Sequence, residues 1–257
     1  MASKSNLVQS DIRLLKIVNG LQDLNGAGVT ELAEHVDMKK STVYKHLKTL
    51  LEQEYVRVRN QKYHLGFKFL DHGKFVHDQS TLVSTARPYL QDLADSIDKV
   101  VVLTAKDYST GVYLHSCNDK YDLGSETQTR PGYNRFELHT TASGKSILAQ
   151  LENDEVRQIA KKQGLDAKQE NTISDIDELL EELDEIRERG YAINRGERVE
   201  GIWAIGSDLY SPGEDIHAAI SIGGPKSRFA SDELHQEYAN ELRATIEKIQ
   251  LRLQINA

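Results

Sequence analysis

The sequence predicts an α+β protein in two parts: a winged helix-turn-helix with a linker helix over residues 1–78, and an α+β domain with an antiparallel sheet over 79–257. Three observations predict it. Residues 10–65 run in the order helix, short helix, turn, helix, hairpin. The apolar period then drops from about four to two at Tyr55-Val56-Arg57-Val58-Arg59. Beyond residue 100, β-type segments joined by short turns are interspersed with amphipathic helices.

Each element follows from its local pattern. Ile12, Leu14, Leu15, Val18 and Leu21 recur at helical spacing, which gives a first helix over 10–24, stopped by Asn25-Gly26-Ala27-Gly28. Thr30 is placed as the cap of a second helix through His35, and Ser41 as the start of a third to about Glu54. The hairpin turns at Asn60-Gln61-Lys62 and returns through Tyr63-His64-Leu65. A helical linker covers 67–78, and a further helix runs from Leu82 to Ile97 with Pro88 interrupting its pattern. Strands follow at Val100–Ala105 and Gly111–Cys117, then a long polar loop at 118–137. Helices are expected at Thr141–Leu151, Asp154–Lys162 and Ile176–Arg189, the last capped by Asp175 and ended by Gly190. Strands at Tyr191–Asn194, Ile202–Tyr210 and His217–Gly223 precede a closing helix capped by Ser231, and the helices are expected to cover one side of the sheet.

Composition narrows the functional classes. The longest apolar stretches, such as Val100-Val101-Val102-Leu103, fall far short of the ~20 residues that a membrane span needs. Met1 to Gln9 has no apolar core of signal-peptide length, so a cytoplasmic protein is expected. The single cysteine, Cys117, excludes an internal disulfide and a multi-cysteine metal site. The net charge of −8 is unevenly divided: residues 1–77 hold 12 basic and 8 acidic side chains, the remainder 20 and 32. A basic front on an acidic body suits a protein whose one end meets phosphate.

The third helix sharpens that reading. With Val43 as reference, Leu47 and Leu50 fall within about 40° of it at the helical repeat, and Ser41, Lys45 and Lys48 fall near the opposite side. Thr42 and Tyr44 flank them. Lysine ammonium groups reach guanine edges or phosphates, and hydroxyls at the helix start bond phosphate or base. Lys39 and Lys40 precede the helix, where backbone amides also favour an anion. Arg57, Arg59 and Lys62 make the hairpin basic. Any one of these cations suits an ordinary solvated surface; their concentration on one helix face and the adjoining wing points to double-stranded DNA.

At these residues a family resemblance appears. Met38-Lys39-Lys40-Ser41-Thr42-Val43-Tyr44-Lys45-His46-Leu47 through Leu50, with Tyr55-Val56 and Tyr63-His64-Leu65-Gly66, resembles the DNA-binding domain of the IclR family of transcriptional regulators. Lys45 stands where that family's S-T-V-x-R-x-L-x-x-L pattern has arginine, which keeps the charge and loses the guanidinium fork. The resemblance continues over nearly the whole chain. Leu138 to Ala149 is similar to the family's hxHxTAxGKAxLA segment, Arg189 to Ile205 to its RGYAxDxEExxxGxxxIA strand pair, and Ala218 to Pro225 to its AAxSxSGP strand. It implies a GAF-like effector-binding domain whose pocket is lined by Ala142 and Ser143 at a helix end and by Asn194, Ile202, Ala204, Ser221 and Gly223 on the sheet. Asn194 replaces a usual Asp, Gly223 replaces a common second Ser, and Trp203 and Ala204 stand near a frequent Cys.

Catalytic readings find little support. Gly144-Lys145-Ser146 ends like a phosphate-binding loop, but His139 occupies the position of the required first glycine. No G-x-S-x-G elbow occurs. His115 and Cys117 are two isolated ligand types, too few for a metal site, and the acidic stretch Asp175 to Glu188 fits a solvated helix face. The expectation is a non-enzymatic regulator with no cofactor. It binds an operator as a homodimer or a dimer of dimers (a homotetramer), paired through helices 10–24 and 67–78, and answers to a small effector such as an organic acid or sugar derivative. Repressor or activator stays open. The alternative is a stand-alone sensor whose winged domain serves only protein association.

Overall fold

The computed structural model describes residues 7–118, 134–229 and 231–256. The chain divides into two compact units, one ending at Val76 and the other beginning at His77. The expected polar loop lies outside the described residues from 119 to 133.

In the first unit α1 (Gln9–Asp23), α2 (Val29–His35) and α3 (Lys40–Glu52) precede the hairpin β1 (Val56–Arg59) and β2 (Lys62–Leu65). Ile17, Leu21, Leu32, Val43, Leu47 and Val56 form its core. The second helix opens one residue before Thr30, with Gly28 as its cap; the Glu31 carboxylate reaches back to accept from the Gly28 amide at 3.4 Å. That carboxylate satisfies the cap residue's own amide, a different donor from the first-turn amides that a threonine cap would accept. Gly26 (φ +97°) brings the chain under the ring of His64, which a Cβ would strike at 2.1 Å. Ala27 and Tyr63 then exchange backbone bonds of 3.0 and 2.8 Å, tying the hairpin to the helices. The linker helix α4 (Lys68–Asp78) follows and spans the division between the units.

The second unit begins with α5 (Thr81–Ile97), which runs through Pro88 without a break. A six-stranded sheet has the order β5-β4-β3-β8-β7-β6, and its pairings are all antiparallel among the described residues. Its strands are β3 (Val100–Asp107), β4 (Thr110–Cys117), β5 (Arg135–Glu137), β6 (Ala192–Arg195), β7 (Ile202–Ser211) and β8 (Ile216–Pro225). β5 is an edge strand at the end of the segment expected to be loop; three residues are too few to show a period.

Helices cover both faces of this sheet, not one. Val101, Leu103, Ile205, Ile220 and Ile222 pack against α5 and the closing helix α9 (Asp232–Asn256). The alternate residues, including Ala204 and Ala219, meet a second cluster built by α6 (Ala142–Ala149), α7 (Asn153–Gln163) and α8 (Ile176–Arg189). A strand buried on both faces shows no polar alternation, which is why Val100-Val101-Val102-Leu103 does not announce which side each residue takes. Asp175 caps α8 by accepting from Asp177 and Glu178 amides at 2.8 and 3.1 Å, and Gly190 (φ +81°) ends it.

Candidate nucleic-acid interface and ligand cavity

On α3, Val43, Leu47 and Leu50 are buried, and Ser41, Tyr44, Lys45 and Lys48 are exposed, with Thr42 half-buried. The helix starts at Lys40 with Lys39 as its cap residue, so both lysines flank its free amides and Ser41 lies one residue inside. Arg57 and Arg59 share one face of β1 by strand alternation, and both are exposed. Lys62 is the first residue of β2 rather than the last of the turn: Asn60 (φ 50°) and Gln61 (φ 61°) alone supply the left-handed pair of a two-residue hairpin.

These cations are unequally free. Lys62 pairs with Glu31 at 3.2 Å and Lys48 with Glu52 at 3.8 Å. The Lys62 ammonium, with the Gly28 amide, holds the Glu31 carboxyl below its ordinary range. The Arg57 guanidinium lies 4.3 Å from the Phe67 ring centroid. Lys39, Lys40, Lys45 and Arg59 form no ion pair among the described residues. Exposed pairs are worth at most about 1 kcal/mol, so a phosphate can take Lys48 or Lys62 at little cost.

In the second unit, a cavity of about 360 Å³ opens on the α6 side of the sheet. The seven residues singled out from sequence all stand on its wall: Ala142 and Ser143 from α6, Asn194 from β6, Ile202 and Ala204 from β7, Ser221 and Gly223 from β8. Gly206 makes this possible, because a Cβ there would lie 2.7 to 2.9 Å from the backbone of Ala142 and Ser143. Thr141 caps α6, its Oγ1 accepting from the Gly144 amide at 3.0 Å, and Thr104 donates to Ser143 Oγ at 3.1 Å.

Asn194 is largely consumed by the fold. Its Nδ2 donates to the Thr140 carbonyl at 2.7 Å, and its Oδ1 accepts from the Gly196 and Glu197 amides at 3.0 and 3.4 Å. An ionised aspartate could accept both amides but could not donate to Thr140. The carboxamide thus suits this chain where the family pattern has a carboxylate.

Sequence reasoning missed several wall residues. Val100 and Val102 come from β3, Tyr113 to Ser116 from β4, and Arg198 and Val199 from the turn after β6. Arg198 is the most informative: a guanidinium on the cavity wall, 3.9 Å from Glu137 and 5.1 Å over the Phe136 ring. Together with the start of α6, it gives one side of a largely apolar space a preference for anions. Only the fold of the turn reveals it. His115 lines the cavity but Cys117 is buried in the α5/α9 core, so the two do not form a metal pair.

The approach to α6 carries a pH dependence. Burial pulls the His139 imidazole below its ordinary 6.5, against the Asp166 carbonyl and neighbouring carboxylates. Burial raises Glu137, but Lys168, a backbone bond and Arg198 outweigh it and leave the carboxyl below 4.5. Both groups hold fewer protons folded than unfolded, so the stability each contributes is lost on acidification. His139 contributes its loss as pH falls from 6.5, and Glu137 below 4.5. Between about pH 7.5 and 5, the Tm of wild type should lose more on acidification than that of His139→Gln, which thermal denaturation of the two proteins measures.

Comparison with known proteins gives consistent matches over both units. The family model described as "Bacterial transcriptional regulator IclR C-terminal" matches residues 74–251, and "IclR helix-turn-helix domain" matches 12–59. The chain is 32% identical over 250 residues to the HTH-type transcriptional regulator KdgR of Escherichia coli (strain K12), covering 96% of this chain and 93% of that one. It is 28% identical to the HTH-type transcriptional repressor AllR of the same organism, covering 86% and 81%. The crystal structure of the Thermotoga maritima IclR superimposes with a TM-score of 0.71 at 29% identity, covering 95% of this chain and 98% of that one.

Proposed function

Because the chain belongs to the IclR family of transcriptional regulators, we propose that it binds an operator through α3 and the β1–β2 wing, and that a small organic anion in the second unit's cavity controls that binding. The observation that carries this reading is the pairing of an exposed basic helix face with a separate walled cavity bearing Arg198. Val100, Val102, Val199 and Ile202 offer apolar contact, and Ser143, Ser221 and His115 offer polar contact. An organic acid or sugar acid of modest size matches that mixture. Ligand binding coupled to a change in the DNA-binding unit typically shifts affinity by 1–3 kcal/mol, roughly 5- to 150-fold. Repression is the reading we adopt, since the relative AllR is named a repressor. The site of action is the cytoplasm, where the DNA lies; no helix among the described residues is long and apolar enough to cross a membrane.

The active species is a homodimer or a dimer of dimers. Leu15 on α1 and Leu70, Phe75 and Val76 on α4 are each more than 60% exposed in the single chain. A second copy covering these residues brings two α3 helices to successive half-sites.

Band-shift titration on the DNA upstream of the gene, with excess nonspecific competitor, tests the reading. Specific binding released by an organic acid is the expected result. Failure across a genomic fragment library would favour a winged domain used for protein association alone. Arg198→Ala should keep operator binding and lose about 10- to 100-fold in affinity for a carboxylate effector, the worth of one charge-assisted bond. Calorimetric titration of the purified variant measures it.

A further inference from the structure

The turn that carries Arg198 is held by a buried ion pair. Lys145, one turn into α6, is 1% exposed. Its Nζ donates to Glu197 Oε1 at 2.9 Å and to Glu182 Oε1 at 3.2 Å, and Arg189 donates to the same Glu182 oxygen at 2.9 Å. Glu197 Oε1 also accepts the Arg195 amide at 3.3 Å, and its Oε2 is buried without a hydrogen-bond partner among the described residues. Burial pushes the Glu197 carboxyl above its ordinary range, with Lys145 as the chief opposing influence.

Such a pair is a poor source of stability. Desolvating two charges consumes most of their attraction, and apolar replacements of similar volume are often neutral or stabilising. Its location suggests a different role. Glu197 stands directly before Arg198 and Val199, both on the cavity wall. The turn is bracketed by Gly196 (φ +83°) and Gly201 (φ +75°), whose missing side chains leave it free to adopt other conformations. Against that freedom, the ion pair fixes the Glu197 side chain, Asn194 accepts the Gly196 amide, and Thr172 Oγ1 donates to the Glu197 carbonyl at 2.5 Å.

We propose that Lys145 and Glu197 are positioning residues of the ligand cavity: their ion pair locks the turn 196–201 so that Arg198 is presented to an anionic ligand in one fixed place. The inference rests on the reading of this cavity as the effector site, and it adds the element that makes that site selective. Lys145 does not line the cavity; it acts through the turn.

Hydrogen exchange on the full-length, ligand-free protein tests it, comparing wild type with Lys145→Met, Lys145→Arg and Lys145→Met/Glu197→Met. In Lys145→Met, amides of 195–201 should exchange at least about tenfold faster while those of β8 and α9 keep their protection. Lys145→Arg should restore most of the protection, and phenylglyoxal modification of Arg198 should rise in Lys145→Met alone of these two. The double variant should recover thermal stability without recovering protection of the turn, which a purely structural pair would not do; it also carries the test should the single variant fail to fold. Unchanged protection of the turn, a uniform loss over the second unit, or recovery of both Tm and protection in the double variant would overturn the proposal. No ligand enters the experiment. A failed effector search would therefore overturn the functional reading while leaving the exchange result intact.

Discussion

Lys45→Ala/Lys48→Ala is expected to reduce specific operator affinity by about 10²-fold or more near 0.15 M salt, with the fold intact. Both side chains are exposed on the face of α3 opposite Val43, Leu47 and Leu50. Removing them disturbs no core contact, and the one ion pair lost, Lys48 with Glu52 at 3.8 Å, lies on the exposed surface. Alanine is the better helix former, so the melting temperature should stay within a few degrees. If two copies bind the operator, as proposed, the change deletes four cations. If all four meet phosphate, the slope of log K against log salt should fall in magnitude by about 3.6. If Lys45 instead reads a base, the slope changes less and discrimination between operator variants falls. Fluorescence anisotropy at several salt concentrations separates the two cases. An unchanged operator affinity would remove α3 from the interface.

The inward and outward faces of α3 were legible because helical period and burial are the same fact seen twice. The arc of Val43, Leu47 and Leu50 had to face inward, which fixed Lys45 and Lys48 outward. The cavity was legible through resemblance more than through physics: the seven residues carried from family segments come from four separate elements, and no local period joins them. What stayed hidden has physical causes. Val100 and Val102 sit in an unbroken apolar run, so the side of the sheet they face depends on which helices cover it. Arg198 reaches the wall only because Gly196 and Gly201 turn the chain. Lys145 was visible as part of a motif, but lysine is almost never fully buried unless paired, and its partner Glu197 lies 52 residues away. Lys62 offers the converse lesson. Its charge was counted toward DNA, and the structure spends part of it on Glu31.

Leu70→Glu/Phe75→Glu is expected to convert the protein to monomer and to weaken operator binding by about 10² to 10⁴, the effective-concentration gain that a linked second half-site provides. α4 has 11 residues, none of them buried. A helix of that length is marginal alone in water, and Leu70, Phe75 and Val76 leave it with apolar surface that a lone chain does not cover. One edge is anchored: Tyr55 OH lies 2.7 Å from His72 Nε2, its ring stacks on that imidazole at 5.6 Å, and Phe69 meets it edge-on at 5.1 Å. Leu70 and Phe75 lie outside this anchor, so charging them should leave the Tyr55 contacts and the winged fold in place. Sedimentation equilibrium should then report a monomer whose circular dichroism changes only by partial loss of one helix. Half-site DNA should bind variant and wild type alike, since α3 is untouched, while the full operator should lose its advantage over the half-site. A variant that stays dimeric and keeps full operator affinity would show that protomers pair elsewhere, with the exposed face of α1 around Leu15 the next to charge.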